Sequence, residues 1–154
     1  MNELAVYENK TAEEKRYIVF NVGKEIYGID VTCVNTIIQM PIITRVPSAP
    51  NCFSGIINLR GEIISVMSLN KRLNSNMDTF TKDTRVIILD LGNGSLMGVI
   101  VDGVREVMII DETDIEDPSP FLKEGESLVR GVAKKGDELI SILEVTALIK
   151  REIA

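Results

Sequence analysis

The stretch Ile18-Val19-Phe20-Asn21-Val22-Gly23 returns as Ile87-Ile88-Leu89-Asp90-Leu91-Gly92, 69 positions further on. Past the glycine, Gly28-Ile29 returns as Gly98-Val99 and Val34 as Val104, 70 positions on. Later, Glu62-Ile63-Ile64-Ser65-Val66-Met67 returns as Glu138-Leu139-Ile140-Ser141-Ile142-Leu143, 76 positions on. The offset grows only in glycine-rich or loop stretches, the pattern of a duplicated unit with small insertions. Short β-branched runs that meet at glycine and asparagine turns are strand signals. Residues 17–22 and 26–31 flank Gly23-Lys24-Glu25. Their copies, 86–91 and 96–101, flank Gly92-Asn93-Gly94-Ser95, where Asn-Gly supplies the positive φ of a tight hairpin turn.

A second hairpin is expected in each half, 55–59 with 62–67 and 131–133 with 139–143. Between the hairpins stand Pro41, Pro47 and Pro50 in the first half, Pro118 and Pro120 in the second. Proline cannot donate to a sheet ladder, so these crossings are expected to be exposed loops or edges. Both halves end on helical spacing. Leu69-Asn70-Lys71-Arg72-Leu73 predicts one short turn, and 145–151 a longer helix with Lys150 and Arg151 near its C-terminus, where the dipole favours cations. The expectation is an all-β chain of two small tandem barrels from an internal duplication, with a short C-terminal helix. A polar, mobile tail of residues 1–14 would precede a first barrel of 15–80 and a second of 81–154, with a linker at 74–82. Units of about 70–75 residues support a core only marginally, which predicts that the two pack together.

Composition removes several function classes. The chain has no histidine, which excludes Ser-His-Asp and Cys-His nucleophile systems, a phosphoacceptor histidine and imidazole-dependent zinc sites. Cys33 and Cys52 lie in different segments with no CxxC spacing, so they are expected to be two reduced thiols of a cytosolic protein. No basic stretch followed by an apolar core opens the chain, so no signal peptide is expected. No apolar run approaches the length of a membrane span. A net charge of −6, no tryptophan, three tyrosines and four phenylalanines are a poor inventory for nucleic acid.

Some residues stand out against the repeat. Asn58-Leu59-Arg60-Gly61 forms one hairpin tip, whereas the matching stretch reads Lys134-Lys135-Gly136-Asp137. Arg60 has no counterpart there, and a guanidinium on a rigid hairpin suits partner carboxylates or backbone carbonyls. The ordinary alternative is a solvated arginine beside a turn glycine. Asp102, in Val101-Asp102-Gly103-Val104, is expected to fix a turn through backbone N–H groups rather than to accept a phosphoryl group, because the chain lacks βα alternation. The run 111–117 lacks the glycine and closing glutamate of an EF-hand and is expected to be a solvated acidic loop. Val34, Ile37 and Ile38, with Val104 and Val107, are either core or the lining of an apolar groove, core being the commoner use.

Three stretches carry a family resemblance: Tyr27-Gly28-Ile29-Asp30-Val31, Gly55-Ile56-Ile57-Asn58-Leu59-Arg60-Gly61 and Gly98-Val99-Ile100-Val101-Asp102-Gly103-Val104. In order and spacing they resemble the signatures of CheW, the bacterial chemotaxis coupling family, and the likeness runs from about Tyr17 to Ile149. It implies two five-stranded SH3-like barrels around a shared hydrophobic region. It implies a non-enzymatic scaffold, without cofactor or metal, that links the cytoplasmic tips of transmembrane chemoreceptors to the histidine kinase CheA. Such a protein is cytoplasmic, is recruited to receptor arrays, and neither binds nucleic acid nor inserts into the membrane. The family's receptor and kinase contacts map onto Val34, Gly55, Arg60, Val104 and Val107. Thr36 stands where a glutamate is usual, and Ser65 and Ser68 where proline and aspartate are usual.

Two function classes therefore compete. One is the adaptor, favoured by the duplication, the missing catalytic residue types and the unequal hairpin tips. The other is an enzyme or small-ligand module with a cleft between the barrels, Arg60 binding an anion and Asp102 acting as a base.

Overall fold

The computed structural model describes residues 14–74, 77–117 and 128–148. In chain order the strands are β1 (Glu14–Val22), β2 (Glu25–Asp30), β3 (Val34–Gln39), β4 (Phe53–Leu59), β5 (Glu62–Ser68) and β6 (Arg85–Asp90). They continue as β7 (Leu96–Val101), β8 (Gly103–Asp111), β9 (Ile115–Glu116), β10 (Val129–Lys135) and β11 (Glu138–Leu143). All four expected hairpins form, at β1–β2, β4–β5, β6–β7 and β10–β11. The turn expected at Leu69–Leu73 is a wide helical turn at Asn70–Asn74, and a helical turn covers 145–148. The rest of the predicted C-terminal helix, the tail before Glu14, and Pro118 and Pro120 lie outside the described residues.

The strands form two sheets, in the orders β8-β1-β2-β11-β10-β9 and β3-β6-β7-β5-β4. We call them sheet A and sheet B. The pairing departs from the expected boundary at residue 80: each sheet takes its first hairpin from one half of the chain and its remaining strands from the other. The reason lies in two short crossings. The single turn Val31–Cys33 carries the chain from β2 in sheet A to β3 in sheet B, and Asp102 alone carries it from β7 in sheet B back to β8 in sheet A. At each link the chain turns across to the facing sheet instead of folding back beside the strand it leaves. The result is parallel pairing of β2 with β11 and of β7 with β5, while every other pair is antiparallel.

The duplication survives this exchange. Gly28 lies between Val19 and Ile142, and Gly98 between Ile88 and Val66, the same place in each sheet. A Cβ at Gly98 would come within 2.9 Å of the Val86 side chain, so neighbouring strands close over both glycines.

Alternation along the strands sorts the apolar residues into three cores. Tyr17, Val19, Ile140 and Ile142 fill sheet A, and Val86, Ile88, Ile64 and Val66 fill sheet B. Each sheet curls around its own cluster as a small SH3-like barrel. The opposite faces of the same strands carry Ile18, Phe20, Ile87 and Leu89 into a central cluster between the sheets. β1 and β6 are therefore buried on both faces, and each fully buried large side chain contributes about 1.5–3 kcal/mol of transfer free energy.

Candidate functional site

Val34 begins the edge strand β3, and Val104 is the second residue of the edge strand β8. Val34 lies opposite Leu89 and Val104 opposite Phe20, two matching residues of the central core. Each edge strand has a bulge just past this valine. In β3 the extra residue is Asn35, because Thr36 next pairs with Ile88; in β8 it is Arg105, because Glu106 next pairs with Val19. A bulge resets the two-residue period. Val104 and Val107 thereby share one face although three positions apart, and Ile109 continues it.

The two repeats use this face differently. Val34 and Ile37 are half-buried against the central core. Val104 is 36% exposed and Val107 56%, with Ile109 half-exposed. β8 thus presents a row of solvent-facing aliphatic side chains on a strand hydrogen-bonded on one side to β1. Ile109 was not singled out in the sequence; the signal would have been the alternation restarted by the bulge. Thr36 shares its face with Ile88 and Ile38, so it points toward the core of sheet B and away from the Val34 face.

Gly55 is buried, with φ at +144°, and any Cβ would run into the carbonyl oxygen of Thr44. Thr44 forms a bridge with Ile56, which brings its backbone over the glycine. Glycine is needed here for the close approach, whatever else the position does.

Arg60 is exposed at the β4–β5 tip, in the left-handed region at φ +53°, followed by Gly61 at +88°. The Asn58 carboxamide oxygen accepts from the Gly61 amide at 3.0 Å and ties the turn. In the other repeat this left-handed position is Gly136, at φ +62°. An L-residue there costs roughly 1 kcal/mol more than glycine.

Asp102 fixes a crossing rather than a catalytic centre. One carboxylate oxygen accepts from the Gly23 amide at 2.6 Å and the other from the Asn70 carboxamide at 2.8 Å. Both oxygens are thus occupied in holding the crossing, and Arg60 belongs to a different hairpin tip. A small cleft of about 280 Å³ beside Val104 is lined by Asn21, Asp83, Arg85 and Asp102.

At the start of sheet A, Arg130 donates to the Tyr17 hydroxyl at 2.7 Å and to Glu112 at 3.3 Å, with Lys15 at 3.5 Å from the same carboxylate. Burial, reinforced by Glu112, pushes the Tyr17 phenol up to about 12. Burial opposes the Glu112 charge, but Arg130 and Lys15 hold its carboxyl below the ordinary value. Residue 111, expected in an acidic loop, instead ends β8, and its side chain accepts from the Thr113 amide.

The CheW-like domain family model matches residues 16–152. The chain belongs to the CheW-like domain family. Similar proteins include the chemotaxis protein CheW of Bacillus subtilis, 34% identical over 94% of this chain and 92% of that one. Chemotaxis protein CheW of Helicobacter pylori is 31% identical over 91% of this chain and 84% of that one. The crystal structure of scaffolding protein TtCheW from Thermoanaerobacter tengcongensis superposes with a TM-score of 0.80 at 40% identity, covering 87% of this chain and 86% of that one. The CheW fold is thus shared over 87% of the chain.

Proposed function

We propose that this CheW-like chain is a non-enzymatic adaptor that couples methyl-accepting chemoreceptors to the histidine kinase CheA. The observation that carries the reading is the solvent-facing aliphatic row on β8, Val104 and Val107 above all, on a chain whose relatives are chemotaxis and scaffolding proteins. An apolar face of this kind suits the helical hairpin of a receptor tip. Arg60 adds carboxylate or carbonyl recognition at a second place on the surface and half-buried Val34 is a further candidate contact, whereas Gly55 and Thr36, which the family resemblance also brought forward, face the interior and would act by shaping sheet B. The kinase's regulatory domain, itself of related fold, would pair with an end of the barrel built on sheet A. No helix among the described residues is long and apolar enough to cross a membrane. Recruitment from the cytoplasm to receptor arrays would then run through the partners.

Calorimetry with a purified receptor cytoplasmic fragment and, separately, the CheA regulatory domain tests this. Both are expected to bind, and together to form a ternary complex. Failure of both to bind the folded chain would overturn the adaptor reading.

A further inference from the structure

The repeats differ in charge where each folds back over its buried glycine, Gly55 or Gly131. Register equates Thr44, bridged to Ile56, with Glu116, paired with Val132. On that alignment Ile42 and Arg45 occupy the places of Asp114 and Asp117. One repeat is acidic here, whereas the other is apolar and basic.

Beside the apolar and basic version lies a groove of about 790 Å³, between the β3–β4 connection, the start of β4 and residues 77–80. Val46, Met77 and Phe80 line it at 44, 85 and 55% exposure, with Phe53 among its other apolar residues. Large side chains this exposed and contiguous mark a contact surface rather than ordinary scatter. The lining also holds two cations, Arg45 and Lys71. Its one acid, Asp78, accepts from the Ser68 hydroxyl at 2.7 Å and the Asn70 carboxamide at 3.3 Å. A cationic, apolar concavity is thus a local exception on a chain of net charge −6.

We propose that this groove is a third docking surface, separate from the β8 face and from the sheet A barrel end, for a linear partner segment in which carboxylates alternate with large apolar side chains. The apolar side chains would cover Met77, Phe80 and Val46, and the carboxylates would meet Arg45 and Lys71. Charge complementarity selects an acidic over a basic segment and makes binding salt-dependent. The groove's size falls within the range of recognition pockets.

The test uses the full chain and a fluorescein-labelled octapeptide of alternating glutamate and leucine, read by fluorescence anisotropy, with the lysine–leucine octapeptide as control. The acidic peptide is expected to bind, to weaken with added salt, and to lose about tenfold or more in affinity with R45E/K71E and with F80S. The basic peptide is expected not to bind. Circular dichroism melting checks that each variant folds, and R45A/K71A replaces the charge reversal if that variant does not. Equal binding of both peptides, indifference to the cation substitutions, or no binding of the acidic peptide at about 1 mM would overturn the proposal. So would concentration-dependent self-association that expels the peptide, which would give the groove to a second copy. None of these readouts involves receptor or kinase.

Discussion

The Asp102 carboxylate accepts a hydrogen bond from the Gly23 amide at 2.6 Å, across 79 residues of chain. Asp102 is also the one residue at which the chain leaves sheet B for sheet A, and its own amide donates to the Asn21 carbonyl at 2.9 Å. Its second oxygen reaches buried Asn70, past the end of β5. A single side chain therefore joins the β1–β2 turn, the crossing into β8 and the end of β5. Val104 follows two residues on, opposite Phe20 of β1.

Asp102→Ala is expected to lower the unfolding free energy by about 2–3 kcal/mol, since two charge-assisted hydrogen bonds are lost and the buried Asn70 amide loses an acceptor. Urea unfolding measures it. A loss within about 0.5 kcal/mol, the range of ordinary surface changes, would show that the crossing holds without the clamp.

Arg60→Gly should separate stability from function. Relief of the left-handed arginine is expected to stabilise the fold or leave it unchanged, by about 0–1 kcal/mol, because glycine also gains freedom in the unfolded chain. Partner binding is expected to fall by about 2 kcal/mol if the guanidinium makes a desolvated hydrogen bond. Unchanged affinity for both receptor fragment and kinase domain would return Arg60 to solvent.

Val104→Asp places an unpaired charge in the aliphatic row of β8. Val104 is 36% exposed, so a destabilisation of about 1 kcal/mol is expected and binding is measured well below the variant's melting temperature. Receptor-fragment affinity should fall by about 2–3 kcal/mol, and kinase-domain affinity by less. Equal losses to both partners would refute the assignment of separate surfaces.

Gly55→Ala should cost about 3 kcal/mol or more, because a methyl group meets the Thr44 carbonyl and φ is positive. Binding should fail only in step with folding. A folded, fully stable Gly55→Ala protein that had lost a partner would make the glycine a direct contact.

Stability should fall on both sides of neutral pH. The Tyr17 phenol is raised to about 12 from 10.0, so the folded chain holds this proton more tightly than the unfolded one. Its contribution is complete below pH 10 and is lost as pH rises toward 12. Tyr27 is raised too, by burial and Glu25, so Tyr17→Phe should flatten the alkaline limb only in part. Glu112 is lowered from 4.5, so its contribution is present above that pH and is lost as pH falls through the folded value. Glu112→Gln should flatten the acid limb. Denaturant midpoints across pH check both signs.

The hairpins were legible because alternation and glycine turns are local signals. The edge strands β3 and β8 were not, because each carries a bulge that breaks the two-residue period after Val34 and Val104. That same break hid Ile109, and it turns Thr36, two positions past Val34, to the opposite face. The polar cluster of Lys15, Tyr17, Glu112 and Arg130 was also missed, since its members come from β1, the turn after β8 and β10, with Tyr17 and Arg130 113 residues apart.

By itself the sequence determined four hairpins, the duplication, the family and the residue types available to a partner. Local backbone preference and repetition encode those features. Only the tertiary structure decided which hairpin joins which sheet. β1 and β6 are apolar on both faces and need a core on each side, while the crossings at Val31–Cys33 and Asp102 carry the chain from one sheet to the other. Exchange of the first hairpins satisfies both conditions at once. It also leaves Val104 and Val107 facing solvent while the matching Val34 and Ile37 pack against the centre, an asymmetry set by packing across the repeats and written in neither copy alone.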